Sequence, residues 1–232
     1  MCRSLFSIGL AFGLLSAVVL RADGLVHRLP EDGAWARYKV TVVDREGDMD
    51  GHMMIRSVGR AVVDGQDCRW IEWEFETDHL KAITKLLIPE TFLQSGHNPL
   101  DHVVRGWEKL GDRTTRRLDG PATAGLLPYL MHPPLRDCRK LDSTEMVDWQ
   151  HGRLECEVRA GGLRLERATP NRHQRAEEVS YEVGLHDKAP FGVAFARLAI
   201  RVQGEGRGET VIATIIIADA GRDARSRLPE FR

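Results

Sequence analysis

Aromatic residues make up only 6% of the 232-residue chain, and cysteine occurs four times. So little cysteine excludes a disulfide-built scaffold. The length makes one unnecessary, because a chain of this size can bury a core that folds on apolar packing alone. No C-x-x-C pair occurs, which removes zinc ribbons and thioredoxin-like redox centres. There is no H-E-x-x-H and no G-x-S-x-G elbow, so the metalloprotease and α/β-hydrolase patterns are missing too. Neither sign of charge dominates. Lys and Arg number 33 against 34 Asp and Glu, a net charge of −1, so no global field draws the chain to nucleic acid or to an anionic membrane. Beyond Gly24 no apolar run is long enough to cross a bilayer as a helix.

What the chain does have begins at its amino terminus. MCRSLFSIGLAFGLLSAVVLRADG carries one basic residue, Arg3, an apolar run from Leu5 to Leu20, then Ala22, Asp23 and Gly24. That order is the layout of a secretory signal peptide over residues 1–22, with a mature chain starting near Asp23. The run is shorter than the ~20 residues that span a bilayer. Leu20 sits where a small residue is preferred, so an uncleaved anchor stays open as the alternative. The expected location is outside the cytoplasm, periplasmic or extracellular. Cys68, Cys138 and Cys156 then remain, an odd number. They read either as one disulfide, Cys138–Cys156, with a free thiol, or as three buried thiols.

From Trp35 to Ile88 apolar and polar residues alternate at period two between Gly/Asp turns, the pattern of an antiparallel meander. The middle changes character. HNPLDHVVRGWEKLGD places Leu100, Val103, Val104, Trp107 and Leu110 on one helical stripe, with Asn98 as cap, Pro99 at the first position and Gly111 as stop. PATAGLLPYLMH suggests a second, shorter helix. Strands resume after Asp137, with Gly161-Gly162 and GEGRG as turns. The fold class predicted is mainly β with two short helices: a single curved antiparallel sheet, a half-open barrel, wrapping the helices. One β-rich domain covers residues 23–232, with a helical insert near 98–131.

CRWIEWEFE sets Glu72, Glu74 and Glu76 at every second position, opposite the face bearing Ile71, Trp73 and Phe75. Carboxylates two apart on a strand lie ~6.5–7 Å from each other, a spacing that does not exclude a glycosidase pair. Lys81 and Lys85 in the next segment can pair with them across strands. The expectation is therefore a solvated outer face on which Glu74→Gln changes stability by tenths of a kcal/mol. No residue is assigned a catalytic role, no metal site is found, and no cofactor is called for. DREGDMDG lacks calcium-loop spacing and reads as a turn.

A leader, GAWARYKV opening a meander, apolar helical segments, and long strands including APFGVAFARLAIRV together resemble the LolA/LppX-like carriers of bacterial envelopes. The resemblance lies in the order of elements and implies a curved sheet wrapped around helices, with an apolar cavity for acyl chains. It carries no binding residue across. From the residues themselves, Trp73 and Phe75 on the sheet, and Val103, Val104, Trp107, Leu127 and Leu130 on the helices, are the candidates for lining such a cleft around a lipid-like molecule. Three classes stay open: a non-enzymatic carrier or sensor of a hydrophobic ligand, a structural or assembly protein of the envelope, and a hydrolase with an unrecognised site.

Overall fold

From Trp35 onward the period-two pattern becomes strand after strand. The computed structural model describes residues 25–45, 47–94, 97–118, 138–168, 174–203 and 209–228. The strands are β1 (Trp35–Asp44), β2 (Gly47–Val63), β3 (Gln66–Thr77), β4 (Lys81–Pro89), β5 (Arg105–Leu110) and β6 (Arg116–Leu118), then β7 (Arg139–Trp149), β8 (Gly152–Ala168), β9 (Gln174–Leu185), β10 (Val193–Gln203) and β11 (Glu209–Gly221). They form one 11-stranded sheet in the order β6-β5-β4-β3-β2-β1-β11-β10-β9-β8-β7. Every pairing is antiparallel. Two meanders, β1 to β6 and β7 to β11, are thus joined where β1 pairs with β11. β6 and β7 are the edges, and the sheet does not close into a barrel.

Turn chemistry sets the register. Asp64 and Gly65 both take positive φ, 51° and 78°, the two-residue hairpin that joins right-twisted strands without splaying them. The expected turn at Gly161-Gly162 does not form, because β8 runs straight through both residues beside β9.

The sheet curls. Arg197 of β10 donates to Glu145 of β7 at 2.8 Å, although β8 and β9 lie between them, so a flat sheet would hold those strands roughly 14 Å apart. The end of β7 also reaches back to β11, with Gln150 N donating to Ala218 O at 3.0 Å. Val147, Leu154, Cys156, Val158 and Phe195 are buried in this coil.

The expected helix over 99–110 is a correction. Asn98 does cap, its Oδ1 accepting from Leu100 N at 3.2 Å, but what it caps is one 3-10 turn, Pro99–His102. The chain then extends into β5, and Gly111 N donates to Lys81 O at 2.7 Å to close a strand turn. The helical stripe misled because β5 is covered on both sides. Gly106 and Trp107 are adjacent in sequence, face opposite ways and are both buried. Doubly covered strands lose the clean alternation that marks a strand, and pairing with β4 outweighs local spacing. The first of the two short helices expected is thus absent; the helical pieces among the described residues are two 3-10 turns, Glu90–Phe92 and Pro99–His102. Residues 1–22, expected to be a leader, and the 121–132 segment with Leu127 and Leu130 lie outside the described residues. Among the described residues no helix is long and apolar enough to cross a membrane.

Candidate functional site

The two faces of the β1–β5 region differ in kind. The core face carries Tyr38, Val40, Met53, Ile55, Ile71, Trp73, Phe75, Leu86 and Ile88, all buried in one apolar cluster. Leu93, Leu100 and Val103, from the chain between β4 and β5, join it. Three of the candidate cleft residues therefore share one environment: Trp73, Phe75 and Val103. Val104 is 39% exposed. Trp107 points to the opposite face, where it packs with Ile83, Leu228 and Trp70 in a second cluster. The helical stripe had grouped it with Val103, whereas strand alternation separates them.

One rung of the core face turns polar. Ile55, Trp73, Thr84, Glu108 and Arg116 stand directly opposite one another on β2, β3, β4, β5 and β6. Thr84 is 0% exposed and Glu108 3%. Arg116 donates to Glu108 Oε2 through Nε at 2.8 Å and approaches the same oxygen with Nη2 at 2.6 Å. Glu108 Oε1 has no partner among the described residues. Thr84 Oγ1 is buried and has none either. A buried hydroxyl left so costs about 1–3 kcal/mol, and nothing in the sequence read alone marked this rung.

The glutamates are the second correction. Glu76 is exposed, but Glu72 is 0% and Glu74 8% exposed, so the ladder is no wet face. Arg56 of β2 bridges both, with Nη1 to Glu72 at 3.2 Å and Nη2 to Glu74 at 2.6 Å. The carboxy-terminal segment lies across them. Ser226 Oγ donates to Glu72 at 2.7 Å, Arg227 N at 3.0 Å and Leu228 N at 3.3 Å. Lys81 pairs as expected, 3.2 Å from Glu74 and 3.0 Å from Glu76. Lys85 is buried instead, its Nζ 5.2 Å from the centre of the Trp70 ring. This is a clasp for the carboxy-terminal segment, satisfied by hydrogen bonds on all sides and closed to substrate.

Burial alone would raise the Glu74 carboxyl, but the hydrogen bond and charge of Arg56, with those of Lys81, outweigh it and hold it below the usual carboxylate range. A carboxylate depressed in the folded state adds stability above its unfolded value of ~4.3. That stability is lost as pH falls through the lower folded value. Glu74→Gln should therefore flatten the acid side of the stability profile, below about pH 4.5, while leaving its neutral-to-alkaline shape alone. Urea unfolding across pH 2–7 checks this, and parallel acid limbs for both proteins would count against the Arg56–Glu74–Lys81 cluster.

No disulfide joins Cys138 to Cys156, which corrects that pairing. Cys156 stands opposite Glu145, while Cys138 precedes the far end of β7, whose Arg139 faces Ala160. That offset along the ladder exceeds the Cα separation a disulfide tolerates. Burial pushes Cys156 up to about 11, helped by Glu145, and raises Cys68 as well, so neither is a ready nucleophile.

Elsewhere, a half-open cleft of about 710 Å³ lies between the amino-terminal segment, the turn before β10 and the end of β11. Arg28, Trp149, Asp187, Lys188 and Arg222 are among its lining residues. Among the described residues no group of three His, Cys, Asp or Glu could hold a metal ion.

No family model matches the sequence. No curated protein matches it either. Solved structures do show similar chains. A Bacteroides fragilis protein assigned as exported, with a YmcC-like fold, is 8% identical over 86% of this chain and 100% of its own, at a TM-score of 0.38. A DUF1329 family protein from Desulfovibrio piger is 9% identical over 82% of this chain and 85% of its own, at 0.34. A domain assigned to outer membrane lipoprotein sorting, from Vibrio parahaemolyticus, is 9% identical over 87% of this chain and 89% of its own, at 0.31.

Proposed function

We propose that this is an exported, non-enzymatic envelope protein that holds an apolar chain against the core face of its sheet. Export rests on the leader. The observation that carries the binding half is the apolar face bearing Trp73 and Phe75, with Val103 packed on it, which is bounded by two polar stretches, the Thr84 rung and the buried Ser57–Arg69 pair. Each buried methylene contributes ~0.8 kcal/mol, so roughly a dozen of them reach micromolar affinity after ordering costs. Native mass spectrometry of the protein gently extracted from its own envelope should show a retained mass of lipid size. Delipidated protein should then bind the neutral probe N-phenyl-1-naphthylamine. Protein that retains nothing and binds no probe would end the carrier reading.

A structural or assembly role has its own observation. Val43 and Ile212 face each other across β1 and β11, and Ile216 lies further along the same face; all three are exposed. Such a strip suits a protein partner. If it is the functional surface, Val43→Asp with Ile212→Lys should abolish a co-purifying partner and leave probe binding unchanged.

A further inference from the structure

Resting on that reading, we propose that Thr84, Glu108 and Arg116 form the head-group end of the site, and that the head they take is uncharged and bears hydroxyls. Directly opposite residues on adjacent strands have Cβ atoms ~4.5–5.5 Å apart, so the three side chains make one continuous polar rung at the β4–β6 end of the apolar face. Arg116 spends both of its contacts on Oε2 of Glu108. The ion pair is thereby neutral as a unit and, among the described residues, leaves Oε1 as an acceptor, while the buried, unpartnered Thr84 Oγ1 can both donate and accept. A hydroxyl pair meets these demands: one donates to Glu108 Oε1 and the next exchanges a hydrogen bond with Thr84. A carboxylate head would set a second negative charge beside Glu108 with no further cation on the rung, and a desolvated unpaired charge is strongly disfavoured. An apolar chain ending in a glyceryl-type head therefore fits, and a free fatty acid does not.

Displacement of N-phenyl-1-naphthylamine from the mature protein tests this, using 1-monomyristoylglycerol and myristic acid as competitors at pH 7.5. Wild type should be emptied by the monoacylglycerol at about tenfold lower concentration than by the acid. Thr84→Val, nearly isosteric and free of the buried hydroxyl, should keep the unfolding midpoint at or above wild type. It should weaken the monoacylglycerol about fivefold, the equivalent of one hydrogen bond, and leave the acid unchanged. Glu108→Gln should narrow the preference by admitting the acid. Equal displacement by both competitors, or a preference for the acid, or indifference to Thr84→Val in a folded protein, would overturn the head-group assignment while the apolar site stands. Failure of the probe and of both competitors to bind would remove the apolar-chain reading and this inference with it.

Discussion

Glu72→Ala is expected to destabilise the protein by about 3–5 kcal/mol, the range for breaking a buried ion pair from one side. Glu72 accepts from Arg56, Ser226, Arg227 and Leu228. Its removal strands the buried Arg56 on Glu74 alone and leaves the backbone donors of the carboxy-terminal segment without their acceptor. That segment also carries Leu228 onto Ile83, Trp107 and Trp70, so its release would uncover a second apolar cluster. The two effects are coupled. A chain ending at Arg225 should already have lost much of the same stability, and Glu72→Ala within it should cost clearly less than in the full chain. Urea unfolding of the four proteins yields the cycle directly. A full-chain loss below about 1 kcal/mol, the scale of an exposed pair, would return the glutamates to the solvated face that their alternation suggested.

The second large effect lies in the coil of β7 to β11. Phe195→Ala should cost about 3–5 kcal/mol, as for other buried aromatic truncations. Phe195 is fully buried and lies flat over Gly184 of β9, where an added Cβ would stand 2.0 Å from a ring carbon. Arg197, held by Glu145 and Glu182, stacks over the same ring at 4.7 Å. Gly184→Ala alone should therefore cost about 1–3 kcal/mol through overpacking. In the Phe195→Ala background the same methyl should be neutral or stabilising, because it enters the space the ring has left. The change of sign is the diagnostic result, read from thermal or urea unfolding. Simple additivity of the two substitutions would mean that the ring does not rest on Gly184.

What the sequence determined by itself is local. Alternation in WARYKVTVV and CRWIEWEFE specified strands and assigned Tyr38, Trp73 and Phe75 to one face and the glutamates to the other. Gly/Asp-rich stretches marked the turns between those strands. These follow from the pleat and from backbone sterics, which act over a few residues. What covers each face was decided only in three dimensions. Glu72 is buried by Ser226, Arg227 and Leu228, some 155 residues away, and no local pattern encodes a contact at that distance. β5 mimicked a helix because both of its faces are covered, which erases the alternation by which a strand is recognised. Gly161-Gly162 mimicked a turn because glycine permits one without requiring it. The Thr84–Glu108–Arg116 rung joins three strands whose register is set by pairing, so its members fall at unrelated points in the chain and meet only when the sheet forms.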